Sequence, residues 1–206
     1  MTMAPPAESH SGEPEKLPSW AFPPEGGFTA EDLDRIPELP PHTELIDGNL
    51  VFVSPQARFH MLVNRLLEMT LLQITPPGYE VVREMTLTLE GPEGPQRPEP
   101  DVMVVRSDAA SSMGQTTYRP EDAVLVVETV SPGSRVIDRR RKPLLYAESG
   151  IPHMWRVENE NDEPVVYTFE LEPVTRVYIA TGVHRERLKT SVPFDIDIDL
   201  SEIRRR

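Results

Sequence analysis

The chain contains no cysteine, which excludes disulfide bridges and thiolate metal sites. A reducing, cytoplasmic setting is the matching expectation. No apolar run approaches the roughly 20 residues that a membrane-crossing helix requires, so no membrane association is expected. The first residues have neither the basic start nor the apolar centre of a secretory leader, and none is expected. Hydrophobic residues reach only 38%, diluted by 23 prolines and by acidic stretches. A folded part of about 150 residues is still ample for an independent core. Basic residues are scarce as well, 21 against 34 acids, and the net charge of −13 argues against a strongly basic nucleic-acid coat. There is no internal repeat.

What is present is unevenly distributed. Residues 1–40 hold eight acids and two basic residues. Residues 133–156 reverse the balance, with Arg135, Arg139, Arg140, Arg141, Lys142 and Arg156 against Asp138 and Glu148. An anionic ligand is expected to meet the chain there. Residues 1–27 are rich in Pro, Glu, Ser and Gly, which predicts a disordered acidic tail ahead of one domain over 28–206. "GFTAEDLDRIPE" (27–38) predicts a short helix capped by Thr29, with Asp32 three residues on. "TELIDGNLVFVS" (43–54) is a hairpin around Asp47-Gly48. "ARFHMLVNRLLEMTLLQI" (57–74) spaces Phe59, Leu62, Leu66, Met69 and Gln73 as one helical face and stops before Pro76-Pro77. Strands are predicted at 79–90, 101–106, 123–130, 151–158, 165–172 and 175–182, with "VPFDIDIDL" (192–200) a final strand. A helix over 131–150 should end at Gly150 and be kinked or delayed by Pro143. This order gives an α/β fold, a mixed sheet flanked by helices.

Two acids interrupt the apolar strands. Asp101 opens one in "RPEPDVMVVR" (97–106), and Glu128 lies near the end of another in "AVLVVETVSP" (123–132). Buried carboxylates are costly unless paired, hydrogen-bonded or bound to a metal. If the two strands are antiparallel neighbours, both acids reach one edge of the sheet. There they repel, unless a divalent cation lies between them. Oxygen ligands without cysteine favour Mg²⁺ or Mn²⁺ over zinc. The bland alternative is an Asp that caps a turn after Pro100 and a Glu that pairs with an arginine. Ser134, Asp138, Lys142 and Tyr146 then recur every four residues and share a helical face. From that face Lys142 could aim its ammonium at the acids and stabilise developing negative charge. A solvated polar ladder is the alternative.

The runs "TELIDGNLVFVSP", "RPEPDVMVV" and "VVETVSPGSRVIDRRRKPLLYAESGIPHMWRVE", in that order, resemble the Uma-type restriction endonucleases of the PD-(D/E)XK superfamily. The resemblance spans roughly residues 30–200. It implies a restriction-endonuclease-like fold and metal-dependent hydrolysis of phosphodiester bonds in DNA, with Mg²⁺ or Mn²⁺ as cofactor. By resemblance Asp101 is the first acid and Glu128 the second. The superfamily's lysine usually follows the second acid by two residues, where this chain has Val130. Lys142 is then the replacement, supplied by the adjacent helix. Glu44 matches the family's N-terminal acid and would assist the metal or its water; a hairpin residue paired with an arginine is the alternative. Arg135 and Arg139 would contact flanking phosphates, and Tyr146 would touch a phosphate oxygen or pack with its hydroxyl at the rim. Many enzymes of the fold cut as dimers, so a homodimer is a further expectation.

Two other functions stay open on the residues alone. An inert descendant of the fold could bind without cutting, which the acidic coat and the displaced lysine favour. A phosphodiesterase acting on small nucleotides would tolerate the negative charge better than long duplex. Among lesser candidates, His60 reads as a surface or capping histidine that could reach the site, Trp155 as core, and "DIDID" (195–199) as a half-buried strand rather than a calcium loop.

Overall fold

The structure, a computed structural model, describes residues 18–53, 55–91 and 94–205. Its centre is a six-stranded mixed sheet. The strands are β3 (Tyr79–Arg83), β4 (Val102–Arg106), β5 (Ala123–Thr129), β6 (His153–Glu160), β7 (Glu163–Glu172) and β8 (Val177–His184), in the spatial order β8-β7-β6-β5-β4-β3. Only the β5–β6 pair is parallel. A parallel connection cannot be a tight turn and needs a crossover, usually helical. Residues 131–152 supply it, as a π-helical turn at Ile137–Arg141 followed by α3 (Lys142–Glu148). Pro143 falls in the first turn of α3, where the missing N–H costs nothing. The regular helix is thus delayed until Lys142, and Gly150 follows its end with φ +85°.

Ahead of the sheet, β1 (Glu44–Ile46) and β2 (Asn49–Val51) form the expected hairpin. Asp47 and Gly48 both have positive φ, 51° and 73°, as a two-residue turn that follows strand twist demands. The hairpin is tied to the loop before β4, because Leu45 and Arg97 exchange both backbone hydrogen bonds. α1 is a single turn, Asp32–Arg35, shorter than predicted. Half of its expected cap is present: the Thr29 N–H donates to the Asp32 carboxylate at 2.7 Å.

α2 (Arg58–Ile74) covers one face of the sheet and α3 the other. The buried face of α2 is Leu62, Val63, Leu66, Leu67 and Leu71; it keeps Leu62 and Leu66 of the predicted face but is rotated from it, since Met69 and Gln73 are exposed. Its core continues through Val102, Val104, Leu125, Val127 and Trp155 into Ile196 and Ile198. Across the sheet, Met103, Val126, Leu145, Tyr146, Ile151 and Met154 form the second core. Sequence reading omitted three strands: the short Gly94–Gln96 and Thr117–Tyr118, which pair with Leu89–Gly91 and Thr86–Leu87 respectively, and β9 (Arg187–Thr190), which pairs with β10 (Ile196–Asp199). The "RLKT" of β9 has a single apolar residue to announce it. In β10, Ile196 and Ile198 are buried and Asp197 is exposed, the half-buried alternation expected of "DIDID".

The tail expected over residues 1–27 lies outside the described residues as far as residue 17. Beyond it, Ser19–Ala21 make a 3₁₀ turn, and the Trp20 ring sits 5.1 Å from that of Phe52 at a tilt. No helix among the described residues is long and apolar enough to cross a membrane.

Candidate active site

The antiparallel register of β4 and β5 pairs Val102 with Val127, so Asp101 and Glu128 come together one step beyond. The sheet ends at this point, and three other elements close over it. α2 approaches from one face with His60 and Asn64, the crossover from the other with Asp138 and Lys142, and the hairpin adds Glu44. All of these but Asn64 line a cavity of about 430 Å³, together with His42, Glu84, Glu99 and Thr129.

Lys142 is its electrostatic centre. Nζ lies 2.8 Å from Glu44, 3.0 Å from Glu128 and 3.5 Å from Asp138, with every one of these side chains at most 5% exposed. The four-residue spacing predicted to share a face does so. Ser134 donates to Asp138, Asp138 faces Lys142 one turn on, and Tyr146 donates to Glu128 at 2.5 Å. Burial pushes the Glu128 carboxyl well above the usual carboxylate range; Lys142 opposes this, while Asp138, Asp101 and Glu44 add to it. Burial likewise raises Asp138 against the pull of Lys142. For Lys142, burial disfavours the ammonium, but Glu128, Glu44 and Asp138 outweigh it and hold the group charged well above its ordinary range.

Asp101 is held separately. His60 Nε2 and Asn64 Nδ2 both reach Oδ1 at 3.0 Å, and the Thr129 N–H donates to Oδ2 at 2.7 Å. His60 is therefore no surface residue, as the sequence suggested; it is 7% exposed and directed at the site. Burial works against its imidazolium, and the contact with Asp101 more than offsets this. Glu44 accepts the Glu99 N–H at 2.6 Å, and Glu99 meets His42 Nδ1 at 2.5 Å. The hydrogen bond to Glu99 raises His42, and burial raises Glu99.

The structure thus brings Glu44, Asp101, Glu128 and Lys142 to one cavity. The other candidates are placed elsewhere. Arg139 is bound through two nitrogens to Glu158, at 2.8 and 2.6 Å, and Arg141 grips Asp47. Arg156 also pairs with Glu158, so much of the positive charge of residues 133–156 is spent on internal acids. Arg135 and Arg140 are exposed. Tyr146 is fully buried, behind Glu128 rather than at the rim. Asn64, Thr129, Glu84, Glu99 and His42 escaped sequence reading. Asn64 left one signal: a polar residue inside the apolar face of α2, one turn after His60.

Six carboxylates line the cavity, namely Glu44, Glu84, Glu99, Asp101, Glu128 and Asp138, and Lys142 is the one ammonium among its lining residues. That excess suits a divalent cation. Among the described residues, no three His, Asp or Glu side chains converge closely enough to hold a metal by themselves. Mg²⁺ does not require it, because it binds through one or two carboxylates and keeps several waters. Asp101 and Glu128, opposite each other just beyond the paired ends of β4 and β5, are residues that could supply such carboxylates.

Residues 30–200 match the family described as "Putative restriction endonuclease" (Uma2). The chain belongs to this family. Its fold is similar to the crystal structure of a protein from Anabaena variabilis described as a putative nuclease belonging to DUF820. The TM-score is 0.64 at 16% identity, over 85% of this chain and 97% of the other. No curated protein matches the sequence. The Uma2 domain therefore takes in the whole sheet, α2, the crossover and every cavity residue named above, and the restriction-endonuclease-like fold expected from the sequence is the one observed.

Proposed function

We propose that this Uma2 protein is a metal-dependent endonuclease that hydrolyses phosphodiester bonds of DNA at the Lys142 cavity. The observation that carries the reading is a single buried ammonium held between Glu44 and Glu128, beside Asp101, in a cavity with six acids. Such a wall repels a phosphodiester unless cations offset it. Asp101 and Glu128 would hold Mg²⁺ or Mn²⁺, which when bound supplies polarisation of the phosphate and a water of lowered pKa.

The protein's own groups do the rest. Lys142 stays protonated at any working pH and offers positive charge where a phosphorane-like transition state accumulates negative charge. Its three carboxylate partners fix Nζ in place, so no reorganisation is needed as the reaction proceeds. Glu44 and Asp138 orient the lysine, and Tyr146 orients Glu128. Exposed Arg135 and Arg140 are the groups of the crossover available for flanking phosphates. The same lock on Lys142 is also what an inert binding scaffold would retain.

Supercoiled plasmid incubated with wild type, Asp101→Asn and Lys142→Met in Mg²⁺ or Mn²⁺ decides between these readings. Nicking by wild type alone supports the nuclease. Equal nicking by all three assigns the activity to a contaminant. The absence of nicking by wild type on DNA, RNA and dinucleotides transfers the lead to the binding scaffold.

A further inference from the structure

His60 and Asn64 stand one turn apart on α2 and are buried, at 7% and 4% exposure, on a face otherwise filled by leucine and valine. Buried polar groups of this kind are stable only within a satisfied network. The network here closes on Asp101. The Asp101 carboxylate only accepts, so the Asn64 amide nitrogen must face it, and Asn64 Oδ1 is left to accept from Thr129 Oγ1 at 2.5 Å. Asn64 Nδ2 then has two hydrogens to give. One goes to Asp101 Oδ1 at 3.0 Å and the other to His60 Nδ1 at 3.2 Å. Because His60 Nδ1 accepts, its proton lies on Nε2, which faces the same Oδ1 at 3.0 Å. The Thr129 N–H takes the other oxygen.

Both ring nitrogens of His60 therefore face protein groups, and Nε2 serves the Asp101 carboxylate rather than water. A general base is the wrong role for it. Two elements instead converge on one carboxylate: α2 through His60 and Asn64, and the end of β5 through Thr129. Asp101 lies just outside regular strand structure, where the β-ladder alone would not fix its side chain.

We infer that His60 and Asn64 are positioning residues, a clamp that fixes the rotamer of Asp101 so that the remaining lone pair of Oδ2 faces the cavity and a divalent cation. The cation half of this inference rests on the function proposed above; the clamp itself does not. Groups that orient a metal ligand are typically worth tenfold to a hundredfold in metal affinity.

The test uses His60→Leu, which removes the donor while keeping bulk, and His60→Gln, whose amide N–H₂ reaches to a similar place. Mn²⁺ binding is measured by calorimetry on each full-length protein, with melting temperature alongside. The expected result is Mn²⁺ affinity at least tenfold weaker in His60→Leu and largely restored in His60→Gln. Affinity unchanged in His60→Leu overturns the inference. Equal losses in both variants overturn it too, because a purely steric role would not distinguish them. An independent reading comes from imidazole ¹⁵N–¹H spectra recorded without metal. A slowly exchanging His60 Nε2–H that becomes fast-exchanging in Asp101→Ala supports the clamp, and its absence in wild type refutes it. Should wild type bind no Mn²⁺ while that proton signal is present, the metal reading fails and the clamp stands.

Discussion

Lys142 Nζ and Glu128 Oε2 lie 3.0 Å apart, with side chains 5% and 2% exposed, although one belongs to a helix and the other to an interior strand. The pair is not isolated, for Glu44 and Asp138 share the same ammonium. Removing the lysine leaves three buried acids with no counter-charge. Lys142→Met keeps much of the stem and so much of the packing. At pH 8 the variant should nevertheless lose about 3 kcal/mol of stability, the scale for breaking a buried pair from one side. The loss should shrink as pH falls. Burial already raises Glu128 and Asp138 in the folded state, so the native protein binds protons that the unfolded chain releases. Stability is then greatest below the ordinary carboxylate range and declines as pH rises through the elevated folded values. Denaturant titrations of the variant at pH 5 and pH 8 measure this difference. An equal midpoint at both pH values would refute the account.

A cation bound to Asp101 and Glu128 should counter the same repulsion. Binding to the native state alone stabilises by about 2.7 kcal/mol at a hundredfold excess over Kd. Millimolar Mn²⁺ should raise the melting temperature of wild type more at pH 8 than at pH 5, because protons compete for the acids. Asp101→Asn should show almost no rise at either pH. Thermal shift with and without chelator measures both, and a rise in Asp101→Asn equal to wild type would remove Asp101 from the site.

The parts of this fold that were legible in the sequence are those with a strong local cause. Asp47-Gly48 dictates its turn through positive φ, and the valine runs of β4 and β5 announce interior strands. Asp101 and Glu128 stood out because each breaks an apolar pattern, and the spacing from Ser134 to Tyr146 carried the crossover face. What stayed hidden depends on distant partners. His60 looks like any histidine near a helix start until Asp101 arrives 41 residues later. Arg139 looks like a phosphate ligand until β6 delivers Glu158. The face of α2 was only half read, because Met69 and Leu67 are equally apolar as letters and only packing in the fold buries the second and exposes the first. β9 was missed because its partner strand, not its own composition, makes it a strand.

Residues 18–27 provide a sharper test of the N-terminal boundary. A chain beginning at residue 18 should melt as the full chain does, since the first 17 residues lack any apolar period. A chain beginning at residue 28 also loses the Trp20–Phe52 contact. An aromatic pair contributes about 1 kcal/mol beyond its buried area, which in a domain of this size is a drop of about 2–4 °C. Differential scanning calorimetry on the two truncations separates these expectations, and identical melting would show that Trp20 adds nothing.

Tyr146 separates a supporting role from a substrate-binding one. Its hydroxyl donates to Glu128 while the ring is fully buried, so a phosphate cannot reach it without displacing that carboxylate. Tyr146→Phe removes one hydrogen bond and nothing else. A charged acceptor left short of a donor costs about 1–3 kcal/mol, measurable as a lowered denaturant midpoint. If the hydroxyl orients Glu128, Mn²⁺ affinity and kcat should fall together, each by about tenfold, with KM for DNA unchanged. If it instead contacts the substrate, KM should rise while Mn²⁺ affinity holds. Calorimetry with Mn²⁺ and steady-state cleavage on the same preparation distinguish the two. The geometry favours the first outcome, because the oxygen that Tyr146 serves belongs to the same carboxylate that Lys142 holds from the other side.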